Sequence, residues 1–305
     1  MRSERRLAAY VALSGGIVAI SWSAIFVRWA KMPGSASAFY RMLIAMPVLW
    51  AVLPLQRAPR RSLSRRTFWI AVAGGIFFAG DVGFWNVAVM HTSAGNATFL
   101  SNISPLFVGL FVWMLTRKLP SGRFWTALLV SMAGSCLIVS ADLHRALSRS
   151  SADGLAVLAA VCFALYLVIT GRLREKVDTG LLLALSTSAS AVTLLIFDVG
   201  AHIPLAVPGP GSMLALLGLG LVCQVGGYLG LTYALGHLPT TVTSILWLTI
   251  APLTAVFAWM IFGERMSPME IAGGALVLTG VWIVGRREKA VVPEIKEAIP
   301  PVAQV

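Results

Sequence analysis

Ala88-Val-Met-His91-Thr-Ser-Ala-Gly-Asn96 is followed by Ser104-Pro105-Leu106-Phe107. Farther along, Ala234-Leu-Gly-His237-Leu-Pro-Thr-Thr241 is followed by Ala251-Pro252-Leu253. In both stretches an Ala stands three residues before a His, and an apolar run with one Pro comes next. Gly134 leads into Leu137-Ile138-Val139 as Gly280 leads into Trp282-Ile283-Val284. The Ala, His and Gly pairs are each 146 residues apart and the Pro pair 147, as if the second copy carried one extra residue. Landmarks that keep their order over about 50 residues mark an internal repeat, so the chain reads as two halves.

Apolar residues make up 58% of the 305 residues, charged residues 12%, and the mean hydropathy is +0.83. Soluble domains carry about 25% charged residues, and a water-soluble core of this length cannot hide so much apolar surface. The composition is that of an integral membrane protein. The net charge of +12 invites a nucleic-acid reading. The basic residues, however, stand in short clusters between apolar runs, where they orient helices in a bilayer. Cys136, Cys162 and Cys223 lie inside apolar runs with neither metal-ligand nor disulfide spacing. There is no H-E-x-x-H, G-x-S-x-G or P-loop. The expectation is a protein that is no enzyme, with no cofactor and no metal. ATP then cannot drive it directly, and uphill work must draw on an ion gradient or on the substrate's own gradient.

A helix needs roughly 20 mostly apolar residues to cross a bilayer. Ten runs qualify: Leu7–Val27, Ser35–Leu55, Phe68–Val89, Ala94–Thr116, Arg123–Ser140, Asp153–Thr170, Gly180–Val199, Ser212–Leu235, Thr241–Phe262 and Pro268–Val284. Short connections make sequence neighbours antiparallel hairpins, and lipid excludes an open sheet. The first run follows Arg2, Arg5 and Arg6 but is too long for a signal peptide and lacks an A-x-A type cleavage site. With the N-terminus inside, eighteen of the 24 Lys and Arg fall in inside segments. Arg28, Lys31, Arg41, Arg145, Arg149 and Arg265 fall outside. This bias puts both termini in the cytoplasm of a multi-pass protein of the cell (inner) membrane.

Each half then holds five spans, an odd number, so the second half must be inserted upside down relative to the first. The expected fold is an all-α integral membrane protein: ten transmembrane helices forming two inverted five-helix repeats, 7–140 and 153–287, around a central cavity. Such pairs are typical of secondary transporters with a midplane site. Residues 288–305, with Pro293, Pro300 and Pro301 among charges, read as a disordered cytoplasmic tail.

With these residues in view the chain resembles the drug/metabolite transporter superfamily in its ten-helix EamA-type branch. The matching features are Ala88 to Asn96 with Ser104-Pro105, and Ala234 to Thr241 with Ala251-Pro252. Phe262-Gly263-Glu264-Arg265 before a Gly-rich last helix and Arg41 near the start of the second span also fit. The aromatic-rich spans are similar to the amino-acid and metabolite exporters of that branch. One departure is that Thr116-Arg117 stands in the first half where the ninth span ends on Gly-Glu, and Glu264 reads as a helix-end or loop residue. The resemblance implies a basket whose first, third, fourth, sixth, eighth and ninth spans line the cavity.

On those spans helical spacing collects candidate substrate-binding faces. Asp81 shares a face with Phe78 and Trp85, and Gln224 with Tyr228. The first span offers Trp22 and Ser23, with Phe26 and Trp29. The sixth offers Tyr166, with Phe163 and Thr170. The fourth offers Asn102, with Gly95 and Thr98, and the ninth Trp247, with Thr243 and Ser244. Asp81 lies near mid-bilayer, where a bare carboxylate costs about 2.5–3.5 kcal/mol even on the mildest scale. It holds a substrate ammonium, carries a proton, or bonds a neighbouring helix; the sequence leaves these three open. Aromatic residues on helices pack or sit at the interface as well as lining sites. Asn86, Asn102 and Gln224 also serve as interhelical stitches, and Gly226 and Gly230 form a G-x-x-x-G for close packing. Pro105 and Pro252 interrupt repeat-related spans and suggest gating kinks. His91 and His237 read as span-end residues.

The leading expectation is a secondary transporter that exports small metabolites, most of all aromatic or apolar amino acids, by alternating access. A multidrug or lipophilic-cation exporter is the alternative, since an acid in an aromatic cavity suits a cation equally well. A membrane-embedded enzyme or scaffold without transport is remote. The expected partners are a small-molecule substrate, the lipid bilayer and protons as a candidate coupling ion, without nucleic acid, and the expected state is a monomer.

Overall fold

The computed structural model describes residues 2–55, 63–91, 100–143, 151–263 and 266–285. Among the described residues all regular structure is helical, which is what lipid demands when no water can satisfy backbone groups. Eight helical segments are long and apolar enough to cross a bilayer: Glu4–Ala30, Gly34–Val52, Arg65–Ala88, Gly154–Leu173, Thr179–Gly200, Pro210–Leu235, Thr240–Phe262 and Pro268–Gly285. Two shorter apolar helices, Ser104–Thr116 and Gly122–Ile138, fall on the fourth and fifth expected spans. The protein is an all-α, multi-pass membrane protein. Gly95, Thr98, Glu264, the His91 side chain, much of the link between the halves and the tail 288–305 lie outside the described residues.

Four spans are interrupted. The first is two helices, Arg2–Ser21 and Ser23–Ala30, parted at Trp22. The fourth turns at Asn102 and Ile103 before helix Ser104–Thr116. The ninth turns at Leu248 and Thr249 between Thr240–Trp247 and Ile250–Phe262. The eighth widens into a π-helical stretch, Leu219–Gly227. The expected proline kinks are thus full breaks lying just before the prolines. Pro105 and Pro252 occupy the first turn of the helix that restarts, where an N–H has no intrahelical acceptor to lose.

The structure also revises the spacing of the repeat. The turns at 102–103 and 248–249 are 146 apart, and so are the two left-handed helix ends, Arg117 with φ 58° and Gly263 with φ 68°. Their N–H groups donate to Trp113 and Trp259 carbonyls, again 146 apart. No extra residue separates the copies; Pro252 has shifted by one place within its turn.

Packing follows the same exchange of halves. The second span runs along the seventh and the fifth along the tenth. The third packs on the sixth and seventh as the eighth packs on the first and second. A Cβ on Gly134 would lie 2.5 Å from the Gly273 carbonyl oxygen, and one on Gly280 2.6 Å from the Ala127 carbonyl oxygen. Shifting each partner of the first pair by 146 gives the second pair. The eighth span lies equally close to the first: a Cβ on Gly230 would meet the Ala12 carbonyl oxygen, and one on Gly16 the Gly227 oxygen at 2.7 Å. Gly226 is exposed, with nothing nearer than 3.7 Å. The π-helical turn rotates it off the face it would share with Gly230 in an α-helix.

Candidate substrate site

Arg41 is the residue that charge counting misplaced. It is not an outer-loop charge. It sits seven residues past Gly34 in helix Gly34–Val52, about 10 Å down the axis at 1.5 Å per residue. It is 8% exposed. Its Nε donates to Gln224 Oε1 at 3.0 Å and its Nη1 to Ser23 Oγ at 3.5 Å. The guanidinium lies over the Tyr228 ring, 5.1 Å from the centroid. Gln224 is fully buried and donates onward to Thr187 Oγ at 3.2 Å. Arg41 Nη2 is buried without a hydrogen-bond partner among the described residues. A guanidinium at this depth costs about 2.5–3.5 kcal/mol on the mildest scale, so neutral bonds, a ring face and a nearby acid must offset it.

Asp81 supplies the acid. It stands almost one helical turn beyond Phe78 on the third span and is half-buried, and Arg41 acts on it electrostatically. No hydrogen bond ties its carboxylate to a described residue. Cys162 of the sixth span lies within its field, with Sγ 3.1 Å from where a Gly80 Cβ would be.

Beside this polar pair is an aromatic cluster drawn from the third, sixth, eighth and ninth spans. Phe78 stacks on Tyr166 at 4.7 Å and meets Tyr228 at the same distance. Trp247 meets Tyr228 edge-on at 5.6 Å, and Phe163 lies between Tyr166 and Trp247. Phe78, Tyr166, Tyr228 and Trp247 are each at most 9% exposed, so the rings close on one another. The Tyr166 hydroxyl is set among Thr170, Ser186 and Thr232, yet among the described residues neither it nor Thr232 Oγ1 has a hydrogen-bond partner in range.

The structure therefore brings together Asp81, Phe78, Tyr166, Gln224, Tyr228 and Trp247, and Ser23 through Arg41. Trp85 and Asn102 are half-buried and make no ring contact with this cluster, Trp85 one turn beyond Asp81 and Asn102 in the fourth span's break. Trp22 packs apart, on Phe257 at 5.1 Å and Phe26 at 6.0 Å. Asn86 bonds its own helix at the Val82 carbonyl and fills the space beside Gly34, which is a packing role. His237 Nδ1 donates to the Tyr233 carbonyl one turn back at 2.9 Å, and its ring packs on that of Tyr233.

The breaks in the first and ninth spans meet. The Ile25 and Phe26 amides both donate to the Trp22 carbonyl, which leaves the Ser21 carbonyl without its usual helical donor. Thr254 Oγ1 fills that role at 3.1 Å, while Ser21 Oγ donates within its own helix to the Ile17 carbonyl at 2.7 Å and has the Ile250 carbonyl farther off at 3.5 Å.

A bundle of apolar helices, broken where a buried cation, an acid and stacked rings meet, has the make-up of a membrane carrier. No group of three His, Cys, Asp or Glu able to hold a metal occurs among the described residues. The sequence profile of the EamA-like transporter family matches residues 7–140 and 150–286, and the chain belongs to that family. It is a multi-pass membrane transporter, not an enzyme. It is similar to an uncharacterized transporter of Archaeoglobus fulgidus, 26% identical over 82% of this chain and 87% of that one. The pseudopaline exporter CntI of Pseudomonas aeruginosa is also 26% identical, over 85% of this chain and 89% of CntI. A probable terminal-alkyne amino-acid exporter of Streptantibioticus cattleyicolor is 26% identical over 75% and 76%. One solved crystal structure shares the fold with a TM-score of 0.77 at 19% identity, covering 94% of this chain and 99% of the other.

Proposed function

We propose that this transporter exports small amphipathic metabolites, foremost aromatic or apolar amino acids, by alternating access between two inverted five-span halves. The observation that carries the reading is the meeting of the Phe78–Tyr166–Tyr228–Trp247 cluster with a half-buried acid and a buried base. Ring faces supply apolar affinity, and a few polar groups orient the charged end. Asp81 takes the ammonium. The relatives named as exporters of an amino acid and of pseudopaline support a metabolite cargo.

Support for the inverted arrangement comes from the 146-residue correspondence of turns, helix ends and glycine contacts. Orientation with both termini inside rests on the Lys and Arg bias. Taking the buried Arg41 out of the outside group sharpens that bias to eighteen against five. In the alternating cycle the paired breaks of the first and ninth spans are the pivots, and the fourth span's break is the counterpart of the ninth's. The test is efflux of preloaded phenylalanine from cells expressing the chain, with Asp81→Asn and Phe78→Ala at matched expression. Efflux should fall at least tenfold in each. Full efflux in both would remove the site assignment.

A further inference from the structure

We propose that Arg41 is the anchor for a carboxylate on the transported molecule, received on its Nη2 edge. The proposal rests on the export reading above and names the chemistry that substrates of this site must share.

The guanidinium is held from three sides, and every holder is neutral. Gln224 Oε1 fixes Nε at 3.0 Å, Ser23 Oγ takes Nη1 at 3.5 Å, and the Tyr228 ring covers one face. Gln224 is itself fixed by Thr187, so the plane of the guanidinium is set before any ligand arrives. What remains is Nη2, buried and, among the described residues, without an acceptor in hydrogen-bond range, though the Tyr228 hydroxyl lies close enough to act on the guanidinium. A guanidinium is a rigid planar fork whose donors match a carboxylate. Leaving one side of it dry costs stability unless a ligand fills the gap.

Asp81 does not fill it. Its charge acts on Arg41, but no bond joins it to a described residue. A close ion pair would neutralise the site and leave nothing for a charged substrate to gain. Two opposite charges set apart beside aromatic faces suit a molecule that carries both signs close together. The ammonium then lies toward Asp81 and the carboxylate on Arg41. The contacts of the half-buried Arg174 are different in kind: its Nε donates to the Thr232 carbonyl at 3.1 Å and its Nη1 to the Val177 carbonyl, so that fork is spent on helix ends. A fixed positive charge here also opposes a lipophilic cation with no carboxylate of its own.

The experiment is calorimetric titration of the purified full chain in detergent with phenylalanine, 3-phenylpropionate and phenethylamine, beside phenylalanine flux in proteoliposomes. Wild type should bind phenylalanine and 3-phenylpropionate at least tenfold more tightly than phenethylamine. Arg41→Gln should lose 3-phenylpropionate binding by tenfold or more. Gln224→Glu keeps the side-chain shape and places a competing carboxylate on Arg41, so it should do the same even if Arg41→Gln fails to fold. Phenethylamine binding as tightly as the acid, 3-phenylpropionate binding unchanged in the variants, or no binding of any of the three overturns the anchor. Binding with this pattern but no flux keeps the anchor and sinks the export reading.

Discussion

Replacing Gln224 by Met keeps the length of the side chain and removes both of its polar atoms. Arg41 Nε then loses its acceptor at 3.0 Å and Thr187 loses its donor at 3.2 Å. Between neutral side chains an interhelical bond in a membrane protein contributes about 0.6 kcal/mol. A bond to a charged donor contributes about 1.5–3 kcal/mol. Because Arg41 Nη2 is already unpaired, the guanidinium has no spare bond to fall back on. The expected loss of folding stability is about 2–3.5 kcal/mol. Reversible unfolding in mixed detergent micelles measures it for Gln224→Met, Arg41→Met and the double variant. Arg41→Met removes the cation that needs the acceptor, so the double variant should be more stable than the two single losses added together imply. A coupling of about 1.5 kcal/mol or more is expected. Additivity to within roughly 0.5 kcal/mol would refute the claim that these two groups share a structural bond.

Gly134→Val should destabilise by about 1–3 kcal/mol or more, because its Cβ meets the Gly273 carbonyl and the Val277 amide, neither of which can swing away. Gly226→Ala, with nothing nearer than 3.7 Å, should be neutral in the same unfolding assay. Gly263→Ala should cost roughly 1 kcal/mol through its φ of 68° alone, since nothing lies within 4 Å of the new methyl. Arg117→Gly, at the matching helix end, should move stability by less, because relief of strain is offset by a freer unfolded chain. Thr254→Val strips the donor from the Ser21 carbonyl and should lower stability by about 1 kcal/mol. If the joined breaks act as pivots, it should also change the phenylalanine efflux rate more than an equally destabilising change at Gly134.

The spans and the repeat were legible because each rests on a long-range regularity. Twenty apolar residues between basic clusters leave few alternatives in lipid, and landmarks recurring at one offset are insensitive to local error. The breaks were legible only in part. Pro105 and Pro252 marked the neighbourhood, but the turns fall before them, at residues with ordinary helix propensity. Trp22 has no proline or glycine to announce its break, and the π-helical turn at Leu219–Gly227 left no mark in the residue pattern. Both are set by how neighbouring helices meet. Phe78 and Tyr228, singled out by helical spacing on the third and eighth spans, are in contact. Arg41 was missed as a site residue because a basic residue near a span end looks like an orienting charge. Only its contacts with Ser23, Gln224 and Tyr228 tell the two apart.

The repeat frames the site, and the chemistry breaks it. Moving by 146 residues takes Arg41 to Thr187, Phe78 to Gln224 and Asp81 to Gly227. Arg41 and Thr187 reach for the same amide, one from each half, so Gln224 lies where the two halves address each other directly. Both charges come from the first half; the second half answers with an amide, a hydroxyl and ring faces. On the proposed inverted arrangement, a symmetric pair of bundles would give two similar end states for little strain, because one arrangement would be nearly the exchange of the other. A symmetric site would grip its cargo equally in both. In the alternating cycle proposed above, with charge on one half only, rocking the halves would change how far Gln224 and Tyr228 stand from Arg41, and with that how tightly the guanidinium is oriented. On that proposal affinity would differ between the two faces of the membrane, which is what a carrier needs in order to load on one side and let go on the other.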